Sequence, residues 1–274
     1  MTRPLLEVRH VRKVYEGHGR TVEAIGDLSF ACAAGELVCI VGPSGAGKTT
    51  LLKCVAGLLD LTAGEVVLGG DRVDGPPPGM AVVFQEYGRS LFPWLTAWDN
   101  VALPLRQGGQ GRQGQAKLPR AEVRRLVETA LGEVGLAEVG AAYPWQLSGG
   151  MQQRVAIARA IAYGPRILLM DEPFAAVDAQ TRAELEDLTR SLWSRHGVTI
   201  LFVTHDIDEA VYMGQRVVIL SASPTQVIED LAIDLPAARD QLATRSSPRF
   251  AELRVRVYEQ IQRAKRSGAG EVRR

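Results

Sequence analysis

The sequence predicts an α/β fold: a parallel sheet interrupted by a helical insertion, with an antiparallel piece in front and a tail behind. Short apolar runs at Leu37–Val41, Ile167–Met170 and Val198–Val203 have the length and texture of strands buried on both faces. Helical periodicity alternates with them, and the first 30 residues instead alternate apolar with polar.

In chain order, Leu5–Val14 and Val22–Phe30 read as an antiparallel pair around a turn at Gly17–Gly19. The buried run Leu37–Val41 follows, then a glycine-rich turn and a helix containing Leu51, Leu52 and Val55. Gly64–Val73 predicts a second antiparallel piece, closed by the rigid Pro76-Pro77-Pro78-Gly79, after which Ala81–Gln85 reads as another core strand. From there to Gly164 the pattern is mainly helical, with Val123, Leu126, Val127, Ala130, Leu131 and Val134 forming one apolar stripe. Gln107–Gln115 has too little apolar surface to fold alone and reads as a loop. Helices at about Gln180–Arg195 and Asp208–Gly214 alternate with strands at Ile167–Met170, Val198–Val203 and Val217–Leu220. The last helix is framed by Ser247 as N-cap, Pro248 as first residue and Gly268 past its end, with Phe250, Leu253, Val257 and Ile261 as its stripe.

At 274 residues the chain buries a core without staples, and its net charge of +1 gives no global field for nucleic acid. No apolar stretch approaches the roughly 20 residues of a membrane span, and no signal-peptide core opens the chain, so a cytosolic protein is expected. Cys32, Cys39 and Cys54 have no metal-pair spacing and read as reduced, buried small residues.

Gly42-Pro43-Ser44-Gly45-Ala46-Gly47-Lys48-Thr49 fits G-x-x-x-x-G-K-[ST] between a buried strand and a helix. Its amides and the helix N-terminus turn positive dipoles toward a phosphate, Lys48 adds a full charge, and Thr49 offers magnesium a hydroxyl. Asp171, ending an apolar strand, supplies the carboxylate such a loop needs for magnesium; Glu172 beside it is placed to activate water. Pro173 is expected to hold Glu172 extended. Gln85 can meet magnesium or the attacking water through a neutral amide, and His205 can donate to a γ-phosphate. These groups end parallel strands, where open α/β sheets bind ligands.

Leu147-Ser148-Gly149-Gly150-Met151-Gln152-Gln153-Arg154 resembles the signature of ABC-type ATPases. Physically it is a second anion-receiving helix start, with Ser148 as cap, amides exposed at Gly149 and Gly150, and Val155, Ala158 and Ile161 as anchor. The resemblance runs from Leu5 to Leu235 and implies a P-loop NTPase (RecA-like) core with an antiparallel β subdomain and an inserted α-helical subdomain. It assigns 1–88 and 162–225 to the core, 89–161 to the helical signature subdomain and 226–274 to a C-terminal extension. It also implies ATP and Mg2+ as cofactors, Tyr15 stacked on adenine, Thr50 beside the phosphate loop, Gln85 as the Q-loop, Asp178 as the D-loop and His205 as the switch histidine. Val177 departs from the family's usual leucine before that aspartate.

Phe84–Trp94 (through Gln85-Glu86-Tyr87-Gly88-Arg89), Tyr143-Pro144-Trp145-Gln146 and Val218–Pro224 look more narrowly like the ATPase subunits of nitrate, sulfonate and taurine importers. The resemblance implies a dimer sandwiching two ATP molecules, permease subunits at the cytoplasmic face of a bacterial inner membrane, and indirectly a solute-binding protein, with no nucleic acid. In the family the permease docks near the Q-loop, here Gln85–Trp98, and Phe92, Trp94 and Trp98 read equally as helical core or as that surface. Two rival readings fit the sequence less well. An ABC-type ATPase acting on DNA or ribosomes would carry coiled-coil insertions or paired cassettes, which are absent here, and a P-loop kinase or GTPase has no use for Leu147–Met151.

Overall fold

The computed structural model describes residues 4–17, 20–85, 90–107 and 118–271. The chain forms two compact units, Met1–Pro77 with Thr199–Arg274, and Pro78–Val198. The helical segment 89–161 falls inside the second unit and the extension 226–274 inside the first.

In the first unit, β1 (Leu6–Gly17) pairs antiparallel with β2 (Arg20–Cys32), as the alternation predicts, with Tyr15 opposite Val22. The residues of the turn between them, 18 and 19, lie outside the described set. On its other edge β1 takes β4 (Ala63–Leu68), which hairpins onto β5 (Asp71–Arg72). A second sheet is built on β3 (Leu37–Val41), every residue of which is buried. It is flanked by parallel β8 (Thr199–Val203) and β9 (Arg216–Leu220), and antiparallel β10 (Val227–Ala232) adds to β9. Burial on both faces is why these runs lack polar alternation.

Helix α1 (Lys48–Val55) leaves β3 through the glycine-rich loop, and α6 (Ile207–Met213) joins β8 to β9. After β10 come α7 (Gln241–Arg245) and α8 (Pro248–Glu271). Ser247 Oγ accepts the Phe250 amide at 3.2 Å, giving the predicted N-terminus, and Phe250, Leu253, Val257 and Ile261 are buried. The predicted stop fails, because α8 runs through Gly268 to Glu271. A glycine costs a helix only about 1 kcal/mol relative to alanine, too little to end this one.

In the second unit, β6 (Met80–Val83) pairs parallel with β7 (Ile167–Asp171). The expected strand through Gln85 ends two residues early, because the ladder closes with Val83 opposite Met170; Phe84 and Gln85 turn away. Helices α2 (Ala97–Arg106), α3 (Arg120–Glu133) and α4 (Gly149–Ala162) pack mutually, and α5 (Ala179–His196) follows β7. Val123, Val127, Ala130, Leu131 and Val134 are buried as the stripe predicts. Residues 108–115 of the predicted loop, with 116, 117 and 86–89, lie outside the described set. All three cysteines are buried and free.

Candidate nucleotide site

In the first unit the loop after β3 is shaped by its glycines. Gly45 (φ +77°) and Gly47 (φ +71°) hold left-handed backbone, and a side chain on Gly42 would lie 3.0 Å from Leu220 Cβ. Lys48 is 6% exposed, and its Nζ donates to the carbonyls of Gly42 at 3.0 Å and Pro43 at 3.1 Å. The ammonium is therefore held within the loop's curve, with Ser44 and Gly45 exposed at its tip, Pro43 and Ala46 buried beneath, and Thr49 exposed at the start of α1. Tyr15 is 40% exposed, with its hydroxyl 3.3 Å from Thr50 Oγ1 and Lys13 Nζ 5.2 Å from its ring centroid. An aromatic ring is thus tied to the phosphate loop's helix.

A brace for this loop escaped the sequence reading. Thr225 is fully buried, and its hydroxyl bonds the carbonyls of Ala46 and, at 3.0 Å, Ala24. Its amide also donates to Ala24, at 3.2 Å. Only a lone hydroxyl after Ser223-Pro224 signalled it, and its partners lie some 180 and 200 residues upstream.

His205 sits between two fixed neighbours. The Thr204 amide donates to Ile40 of β3 at 3.1 Å, and Thr204 Oγ1 accepts the Asp206 amide at 3.0 Å. Asp206 then caps α6 by accepting from the amides of Asp208 and Glu209.

In the second unit β7 ends on Asp171, 4% exposed, with Glu172 next and half-buried. Glu172 is not extended as the following proline predicts: its φ is +44°, in the left-handed region. The turn explains this, since the Glu172 carbonyl accepts the Ala175 amide at 3.2 Å while Phe174 is buried as an anchor. Strained backbone of this kind gathers at functional sites. Gln85 Nε2 donates to Glu172 Oε2 at 3.5 Å, so the structure brings these two predicted residues together.

The signature turn is built as predicted. Ser148 Oγ accepts the Met151 amide at 3.3 Å, while Val155, Ala158 and Ile161 are buried. Gln152 Nε2 donates to Pro144 and Leu147, locking the approach, and Gly149 and Gly150 open the helix. A side chain on Gly150 would lie 2.5 Å from Thr181 Cγ2. That same Thr181 donates its amide (3.0 Å) and hydroxyl (2.6 Å) to Asp178, which caps α5. These bonds, the hydroxyl first, hold the Asp178 carboxyl below its usual range. Thr181 thus links the predicted D-loop to the signature glycines.

Of the three aromatics, Trp94 is 69% exposed and Phe92 also exposed, while Trp98 lies half-buried under Arg106. Buried Asn100 fixes their loop by bonding Phe92 at both amide and carbonyl, and the carbonyls of Leu95 and Thr96. Tyr143 and Trp145 stack at 4.5 Å on the surface just before the signature.

Comparison with known proteins agrees with this geometry. Residues 25–175 match the family model described as ABC transporter. An ABC transporter ATP-binding protein of Methanocaldococcus jannaschii is 43% identical over 92% of this chain and 89% of its own length. An aliphatic sulfonates import ATP-binding protein of Bacillus cereus is 39% identical over 92% of this chain and 94% of its own. Among solved structures, the ATP-binding cassette MJ0796, a dimer in a post-hydrolysis state with ADP and Pi, superposes with a TM-score of 0.73 at 32% identity, covering 84% of this chain and all of that one. No helix among the described residues is long and apolar enough to cross a membrane. A phosphate loop, a serine-capped glycine signature and a strand-end carboxylate pair, in this order along the chain, identify it as a member of the ABC transporter ATP-binding family, an ATPase that binds and hydrolyses ATP.

Proposed function

We propose that the chain is the motor subunit of an importer for a small solute of the sulfonate, taurine or nitrate kind, working as a homodimer at the cytoplasmic face of the inner membrane. The observation that carries this reading is the coexistence of two anion-receiving helix starts, at Lys48 and Gly149, in a chain similar over 92% of its length to a sulfonate import subunit. Each helix start presents amides to phosphate, and a two-fold dimer uses both on each nucleotide.

In this reading Tyr15 stacks on adenine, while the loop Gly42–Thr50, through its amides other than at Pro43 and through Lys48, holds the β- and γ-phosphates. Thr49, Gln85 and Asp171 offer hydroxyl, amide and carboxylate oxygens, the hard donors magnesium prefers, and no cluster of three or more His, Cys, Asp or Glu among the described residues competes as an all-protein cage. Magnesium would neutralise charge developing on the phosphates. Glu172 takes the proton of the attacking water, Gln85 orients that water or the metal, and His205 donates to the γ-phosphate. Ser148, Gly149 and Gly150 receive the γ-phosphate of the partner's nucleotide, and Asp178 shapes the loop beside it.

Exposed Phe92 and Trp94 support docking of a permease on the segment ending at Trp98. The solute itself is met by a separate binding protein. Affinity purification of the full chain from its native host is expected to recover a membrane permease. Binding of an alkanesulfonate, taurine or nitrate by the cognate solute-binding protein would name the cargo. Recovery of ribosomes or DNA instead would overturn the transport reading.

A further inference from the structure

The C-terminal extension follows the phosphate loop, the carboxylates and the signature in the chain, and several of its exposed arginines are ion-paired. Arg249 pairs with Asp234 at 2.9 Å, Arg256 with Glu229, and Arg254 with Asp208 at 3.6 Å. Two of these pairs lie within the extension, and Arg254–Asp208 ties it to α6. Its most elaborate contact is made by Arg239, half-buried between β10 and α7.

Arg239 Nη1 donates to the carbonyl of Val211 at 2.9 Å and also to that of Tyr212, and Nη2 donates to Gly214 at 2.8 Å. These are last-turn and cap carbonyls of α6, which a helix leaves without intrahelical partners. The rigid guanidinium fork reaches all three at once, and its charge suits the negative end of the helix. The turn they define is tight: a side chain on Gly214 would lie 2.7 Å from the Arg216 carbonyl. Arg245 adds a cation 4.8 Å over the ring of buried Tyr212.

Helix α6 has only seven residues and spans about 10 Å. At its front stands His205, one residue past Thr204, whose amide is bonded to β3. Asp206 and the Arg254–Asp208 pair hold that front end, while Arg239 holds the back. A rod this short transmits a shift at one end to the other.

We propose that Arg239 is a positioning residue for His205, and that the C-terminal extension fixes the switch histidine through α6. This role rests on His205 acting on the γ-phosphate, and one set of variants separates the two assignments. Steady-state ATP hydrolysis is measured on the full chain for His205→Ala, Arg239→Ala, Arg239→Lys and the His205→Ala/Arg239→Ala double variant, with circular dichroism and thermal unfolding as checks on folding. Arg239→Ala is expected to lower kcat between about 10- and 100-fold, the scale of an ångström misplacement, with KM for ATP unchanged. Arg239→Lys, keeping the charge but not the fork, falls between it and wild type. The double variant is expected to be no slower than His205→Ala alone. Wild-type kcat in folded Arg239→Ala, or losses that multiply in the double variant, would overturn the assignment of Arg239 while leaving that of His205. Wild-type kcat in His205→Ala would overturn both. Should Arg239→Ala fail to fold, Arg239→Lys is combined with His205→Ala, and the same comparison decides.

Discussion

Gln85 and Glu172, 87 positions apart, meet side chain to side chain, with the amide Nε2 3.5 Å from carboxylate Oε2. The contact sets the direction of the Glu172 carboxylate, the group proposed to act on the attacking water. Glu172→Gln is therefore expected to slow turnover by about 10²- to 10⁴-fold, the usual contribution of general-base assistance. ATP binding survives, because less negative charge faces the γ-phosphate. Single-turnover hydrolysis with size-exclusion chromatography in ATP and magnesium checks both, the variant running as a dimer; a wild-type rate would move the base elsewhere.

Lys48 is the buried cation inside the phosphate loop, bonded to Gly42 and Pro43. Lys48→Ala is expected to weaken ATP binding by about 10- to 100-fold, corresponding to loss of a charged hydrogen bond of roughly 1.5–3 kcal/mol. Equilibrium dialysis with ATP measures this directly.

Gly150 lies in helical backbone, where alanine is ordinarily better by about 1 kcal/mol, yet its added carbon would sit 2.5 Å from Thr181 Cγ2. Rotating Thr181 would break its 2.6 Å bond to Asp178. Gly150→Ala alone should thus lower stability by about 1–3 kcal/mol, as overpacking does. Thr181→Ser, which keeps the hydroxyl and deletes the methyl, should restore it. Denaturant titration of Gly150→Ala, Thr181→Ser and the Gly150→Ala/Thr181→Ser double variant tests this compensation.

Thr225→Val preserves shape and removes the hydroxyl that bonds Ala46 and Ala24. A buried carbonyl left without its donor costs about 1–3 kcal/mol, so chemical denaturation should show that loss. Because Ala46 belongs to the phosphate loop, the ATP dissociation constant should rise with it, whereas a valine elsewhere in the core would leave it alone.

Thr181 holds the Asp178 carboxyl below its usual range. A depressed carboxyl stabilises the fold above its unfolded pKa, and that contribution fades as pH falls through the folded value. The wild-type unfolding midpoint should therefore drop more steeply than that of Asp178→Asn below the ordinary carboxylate range, and the two curves should run parallel near neutrality.

The features legible in the sequence are those whose chemistry is local. The phosphate loop, the Asp171-Glu172 pair and the Ser148 cap are each built from contiguous residues, and the starts of α1 and α4 follow from residues within one turn. The apolar stripe of α8 likewise predicted its buried face, because periodicity is set by the helix itself. What escaped depends on distant partners. Thr225 braces a loop some 180 residues upstream, Arg239 caps a helix it follows by 25 or more residues, and the Gly150–Thr181 contact joins two helices. Glu172 was misread because a dipeptide rule gave way to a turn anchored by buried Phe174.

The placement of β3 carries a consequence for biosynthesis. Its two neighbours in the sheet, β8 and β9, are encoded more than 150 residues after it. At about 5–20 residues per second, a ribosome exposes the strand that launches the phosphate loop for roughly 8–30 s before either neighbour exists. Through that interval five consecutive apolar residues, Leu37–Val41, have both edges open, the condition under which strands pair with the wrong chain. The strand that launches the nucleotide-binding loop is thus made early and paired late.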